Sequence, residues 1–181
     1  SEEMTDYLRL PGLHELFSEK VLRQVHQFRE NTSTFGSLIQ PVLSAAEINT
    51  LKSLLAVVSP VDDLLLNETH RKVLRVLDQA EMLSQHYHVV VANPPYMGGG
   101  MNSSLKSFLQ ANYTDVKSDL FSAFIVRNTE LAVPKGQLGF MSPFVWMFIS
   151  SYEKLRGFLI NQKTITSLVQ LQYSGFDGAT V

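Results

Sequence analysis

The chain has no cysteine among its 181 residues. That excludes disulfides and thiolate metal sites, and it fits a reducing compartment such as the cytoplasm. Long apolar runs are missing too: none approaches the roughly 20 residues that span a bilayer, and no signal-peptide pattern opens the sequence. The expectation is a cytoplasmic chain with no membrane partner. Charge is sparse at 18%, with 15 Lys and Arg against 17 Asp and Glu, a net −2. A free-standing DNA-binding domain would carry a basic excess. Either DNA is not the partner, or the basic surface lies outside these residues. A nucleotide-binding glycine turn is also lacking. The only G-x-G is Gly98-Gly99-Gly100, and no Lys-Ser/Thr follows it, which excludes a P-loop. Apolar residues make up 45%, enough for a folded chain with a sizeable core.

One stretch organises the rest: Val89-Val90-Val91-Ala92-Asn93-Pro94-Pro95-Tyr96. Its continuous apolar opening predicts a strand buried on both faces, as in the centre of a parallel sheet. Pro94 and Pro95 lack backbone donors and hold φ near one value, so the strand must stop after Ala92. An amide and a phenol then flank a rigid turn at the carboxyl end of a strand, the edge where open α/β sheets bind ligands.

Those residue types suit one chemical problem. An exocyclic or amide nitrogen is a poor nucleophile because its lone pair is delocalised. If both of its N–H bonds donate to fixed acceptors, the nitrogen can pyramidalise and aim the lone pair at an electrophile. The Asn93 side-chain oxygen is one candidate acceptor. The Pro94 carbonyl, restricted by Pro95, is a second. Tyr96 offers a flat face to a planar group. Preorganised dipoles of this kind act where charge develops.

Asn93-Pro94-Pro95-Tyr96 resembles the catalytic motif of the S-adenosylmethionine-dependent amino-methyltransferases, whose substrates include adenine N6 in DNA, RNA bases and protein glutamine. The tetrapeptide alone specifies methylation of a planar nitrogen, not which one. The wider pattern is more specific. Tyr96 to Asn102, then Lys117-Ser118-Asp119-Leu120-Phe121, then Pro143 and Trp146, is similar to the large adenine-specific DNA methyltransferases of BREX-type phage defence and Eco57I-like restriction–modification systems. The resemblance implies a Rossmann-like methyltransferase sheet, S-adenosylmethionine as cofactor beside Asn93, and double-stranded DNA as substrate. It implies other defence-system proteins as further partners. It also implies that Tyr152, downstream of Pro143 and Trp146, stacks on a flipped adenine opposite Tyr96. In that family a strand near Phe35 often carries an acidic residue for the cofactor; Ser37 is no carboxylate, so that role does not transfer.

The remaining chain is read from periodicity. Residues 1–86 form a mostly helical segment. Leu13, Leu16, Phe17, Val21, Val25 and Phe28 recur at helical spacing, and Asn31 to Gly36 is a polar break. Phe35 to Ile39 predicts a short strand ended by Pro41. Ser44-Ala45-Ala46-Glu47 is a capping-box pattern opening a helix that Pro60 closes, and Asn67 is a candidate cap for a third. Residues 87–181 hold the catalytic half of an α/β methyltransferase domain. His86 and His88 lack a third ligand at short spacing, so no metal site is predicted. Gly98 to Gly100 reads as a mobile loop beside the motif. Ser103-Ser104-Leu105-Lys106 contains S-x-x-K without its companion motifs, so Ser103 reads as a helix start. Ser118 or Asp119 caps a helix carrying Leu120, Phe121, Phe124 and Ile125. Pro134-Lys135-Gly136 is a turn signal before a strand at Leu138 to Met141, completing a parallel βαβ unit. Ser150-Ser151-Tyr152-Glu153 predicts a second capping box, Trp146 reads as packing, and Thr164 to Gln172 predicts a further strand.

The cofactor's Gly-rich turn and ribose-binding acid are absent from the sequence. The chain opens at Ser1 and closes on Gly178-Ala179-Thr180-Val181, so it reads as an internal segment of a longer enzyme, without the target recognition domain and inactive alone. The expected activity is adenine-specific DNA methylation. Methylation of RNA or glutamine nitrogen, or an inactive methyltransferase-derived scaffold, are the alternatives.

Overall fold

The computed structural model describes residues 2–9, 13, 17–57 and 64–170. The chain divides into two compact units, Ser1–Gln85 and His86–Val181. No helix among the described residues is long and apolar enough to cross a membrane.

The first unit contains helices α1 (Glu2–Leu8), α2 (Glu19–Phe35), α3 (Ala45–Val57) and α4 (Leu64–Ser84). α4 packs against the other three, burying Val73, Leu77 and Ala80 with Tyr7, Phe28, Ile48 and Leu55. The capping box at Ser44 is formed: the Ser44 amide donates to Glu47 Oε2 (2.8 Å) and the Glu47 amide donates to Ser44 Oγ (3.3 Å). Buried Gln24 accepts from the amides of Val42 (2.6 Å) and Leu43 (3.1 Å), fixing the chain before α3.

The Leu13-to-Phe28 pattern is not one helix, because Ser18 accepts from the Val21 amide and caps α2 after Phe17. Asn31 to Gly36 is no break: α2 runs to Phe35. Phe35 to Ile39 is not a strand. Gly36 takes φ 52°, its amide closes α2 on the Thr32 carbonyl, and a 3₁₀ turn (Gly36–Leu38) follows. Asn67 lies inside α4, which starts earlier on Leu64. Leu16 and Pro60 lie outside the described residues.

The second unit is a βαβ arrangement. Strand β1 (Tyr87–Ala92) leads through α5 (Ser103–Asn112) and α6 (Leu120–Glu130) to β2 (Ala132–Phe140), which pairs parallel with β1. α7 (Glu153–Gln162) follows. Register runs from Val89↔Gln137 to Ala92↔Phe140, and the Met141 amide adds a bond to the Ala92 carbonyl (3.1 Å). The predicted parallel pairing is therefore present, but with three differences. β2 starts six residues earlier than Leu138 and runs through Pro134-Lys135-Gly136. The turn chemistry survives as a bulge: Lys135 takes φ 65°, and register slips between Tyr87↔Ala132 and Val89↔Gln137. A Cβ on Gly136 would lie 2.9 Å from the Val133 carbonyl oxygen, so only glycine fits. β1 is not buried on both faces. α6 packs on the sheet, and half-buried Val90 and Ala92 alternate with Val89 and Val91, which are 60% and 75% exposed. No element of this unit among the described residues covers that other face. Residues 164–170 form no strand, having no ladder partner among the described residues; Leu171 and Gln172 lie outside them.

Candidate methyl-transfer site

Asn93 follows β1 directly, where the prolines end the ladder. Asn93 and Pro95 are exposed and Pro94 is buried. The amide therefore stands at the surface beside the carboxyl ends of two parallel strands. The Tyr96 ring is 37% exposed and rests edge-on against Phe121, with centroids 6.2 Å apart and planes at 88°. Phe121 is fully buried in the first turn of α6. Its ring also packs on Tyr152, at 5.2 Å and 48°. Tyr96 and Tyr152 thus share one aromatic neighbour across 56 residues of sequence.

The two tyrosines differ in exposure. Tyr152 is only 7% exposed, against 37% for Tyr96. Burial raises both phenol pKa values above 10.0, and at Tyr152 the Asp119 charge adds to the rise. Both rings are neutral at physiological pH, which keeps them flat apolar platforms rather than phenolates.

The turns that carry these rings are tied to the start of α6. Asp119 Oδ1 accepts from the Met97 amide (3.1 Å) and from the Phe121 amide (3.3 Å). Ser118 Oγ donates to the Ser151 carbonyl (3.2 Å). Arg156 Nη1 donates to the carbonyls of Trp146 (2.8 Å) and Ile149 (2.6 Å), bracing the segment before Tyr152. The predicted cap at Ser150 is absent. A 3₁₀ turn (Ser150–Tyr152) precedes α7, which leaves Tyr152 itself in the cap position with no side-chain bond. Ser103 is the first residue of α5, and Asn102 is its cap.

Gly98–Gly100 forms a 3₁₀ turn after Met97, closed by the Gly100 amide on the Met97 carbonyl (2.8 Å). No group of three potential metal ligands occurs among the described residues. Sequence reasoning missed the reach of Asp119 and the placing of Phe121. A helix cap and a core aromatic were visible, but Met97 lies 22 residues before Asp119 and no periodicity connects them.

The family model of the Eco57I restriction-modification methylase matches residues 47–176. The chain is 36% identical over 159 residues to adenine-specific methyltransferase BrxX of Escherichia coli O9:H4 (strain HS), covering 87% of this chain and 13% of that protein. It is 39% identical over 87 residues to adenine-specific methyltransferase PglX of Lacticaseibacillus casei (strain Zhang), covering 48% of this chain and 7% of that protein. The chain thus spans a small part of these relatives, yet the family match extends over most of it, from α3 across the motif turn and β2 to beyond Tyr152. The chain belongs to the Eco57I restriction-modification methylase family.

Proposed function

We propose that this chain supplies the acceptor side of a methyltransferase site that modifies N6 of adenine in DNA, in a restriction–modification or phage-defence system of the cytoplasm. The observation that carries the reading is the exposed Asn93 amide and Tyr96 ring at the carboxyl end of a parallel strand, in a chain of this family. The names of the two relatives, both adenine-specific methyltransferases, support adenine as the target. The two parallel strands would be part of a larger Rossmann-like sheet. Residues 1–86 would be a helical segment upstream of the catalytic half at 87–181. The cofactor's Gly-rich turn and the target recognition domain would lie elsewhere in the full-length protein. Double-stranded DNA and other defence-system proteins are the proposed partners.

The residues divide the work as follows. A duplex adenine leaves the stack at a cost of roughly a few kcal/mol. Stacking on tyrosine returns about 1–3 kcal/mol per aromatic platform. Tyr96 supplies an exposed ring; Tyr152, now buried against Phe121, is the proposed second platform and must be uncovered when the base enters. The Asn93 oxygen and the Pro94 carbonyl accept the two N6 hydrogens and turn the nitrogen lone pair outward. Pro95 restricts the Pro94 carbonyl, so the acceptor needs no reorganisation at the moment of reaction. S-adenosylmethionine supplies an electrophilic methyl group, and Asn93 is the residue here that would border it. No strong base is required, because the extra proton on nitrogen is acidic once the methyl has transferred.

The test is methyl transfer by the full-length protein, with labelled S-adenosylmethionine, offered DNA, RNA and protein. N6-methyladenine among the digested DNA products is the expected result. A methylated RNA base or glutamine keeps the chemistry and overturns the substrate. Tight cofactor binding with no transfer to any of the three points to a scaffold.

A further inference from the structure

We propose that Asp119 is a positioning residue for methyl transfer: its carboxylate pins the motif turn through the Met97 amide. This inference rests on the function proposed above. The Met97 N–H belongs to the peptide that leaves Tyr96. Its bond to Asp119 Oδ1 therefore fixes the backbone on the downstream side of the motif tyrosine. Pro94 and Pro95 already fix the upstream side. The motif tyrosine is held on both sides, by two proline rings before it and one carboxylate after it.

Helix capping does not account for this arrangement by itself. A cap needs one acceptor for an amide at the helix start, and Asp119 meets that need at Phe121. The same oxygen also reaches across 22 residues to a loop that is no part of the helix. Asp119 is 8% exposed. Burying a carboxylate is costly unless charged hydrogen bonds satisfy it, and charge-assisted bonds are the stronger kind. A neutral serine could cap α6 at lower desolvation cost, but its hydroxyl is too short to span both amides. The neighbouring residues point the same way. Ser118 holds the turn before Tyr152 at Ser151, and Phe121 packs against both tyrosine rings. The four residues Ser118 to Phe121 thus set where both proposed base-stacking rings stand.

The experiment compares Asp119→Ser and Asp119→Asn with wild type in the full-length protein. Serine keeps the cap and loses the reach to Met97. Asparagine keeps an acceptor oxygen at the same place. Two readouts are taken: hydrogen exchange of the Tyr96–Gly98 backbone, and kcat with KM for methyl transfer to DNA. In Asp119→Ser the exchange should quicken while the melting temperature holds within a few degrees. Its kcat should fall roughly ten- to a hundredfold, since a misplacement near 1 Å costs about that much. KM for S-adenosylmethionine should stay within about twofold, and Asp119→Asn should restore most of kcat. Unchanged exchange in Asp119→Ser overturns the pinning. Quickened exchange with wild-type kcat overturns the link to chemistry. If the wild type methylates no adenine, the function proposed above fails, and the exchange data still decide whether Asp119 holds the motif turn.

Discussion

At the residue scale, Tyr96 and Tyr152 are alike in type and unlike in setting. Tyr96 touches Phe121 edge-on and keeps a third of its surface open; Tyr152 is almost covered. Their alanine variants should therefore separate. Tyr96→Ala removes an exposed platform, so 2-aminopurine at the target position should lose its fluorescence enhancement with little change in melting temperature. Tyr152→Ala removes the platform and also leaves a cavity against Phe121, so it should lose the signal and cost about 3–5 kcal/mol of stability. Tyr152→Phe should preserve both. An undiminished 2-aminopurine signal in Tyr152→Ala would remove that ring from the base site. The motif Asn93 to Tyr96, on which the proposed chemistry rests, was legible in the sequence because its four residues are adjacent. Asp119 and Phe121 were not, because their roles depend on which loops fold back onto α6.

At the element scale, the same three-residue capping pattern was read correctly at Ser44 and wrongly at Ser150, where a 3₁₀ turn precedes the helix. Ser44 and Glu47 are three residues apart, and the box forms as written. Glu47 is also paired with Lys20 from α2 at 2.6 Å. The Lys20 bond, then the Ser44 backbone and side-chain bonds, pull the Glu47 pKa from 4.5 down to about 2. A depressed carboxylate contributes stability that is complete above pH 4.5 and lost as pH falls towards 2. The effect is small, because both side chains are over 40% exposed and solvent screens the pair. The melting temperature of wild type should exceed that of Glu47→Gln above pH 5, and the gap should close towards pH 2. A gap that does not change with pH would contradict the assignment. Other elements were misread. Phe35 to Ile39 has strand-like residues, but Gly36 caps a helix there. Thr164 to Gln170 has the alternation of a strand and no neighbour to pair with among the described residues.

At the scale of the whole molecule, the largest discrepancy is the open sheet face. The sequence of β1 is that of a strand covered on both sides, yet Val89 and Val91 stand exposed, as do Leu168 and Val169. Clusters of exposed apolar side chains mark interaction surfaces. The chain spans only 13% and 7% of the two relatives it matches. We propose that segments of a longer protein cover this sheet face. Val91→Lys distinguishes the two settings. In residues 1–181 expressed alone it should be neutral for stability and improve solubility. In the full-length protein it should lower stability by roughly 3–5 kcal/mol, as a charge buried without a partner does. Equal tolerance in both would mean that this face stays in water. Patterning alone could not reveal this, because a β-strand sequence records burial without recording which chain segment provides it.

In the proposed mechanism Asn93 orients the nitrogen that receives the methyl group. The most direct measurement is N6-methyladenine formation in DNA by the full-length protein and its Asn93→Ala variant, with melting temperature and S-adenosylmethionine binding measured alongside. Loss of one good acceptor at a developing charge should lower kcat by at least about 10²–10³-fold, while the fold holds and cofactor binding changes little. Turnover near that of wild type in a folded Asn93→Ala protein would show that Asn93 does not orient that nitrogen.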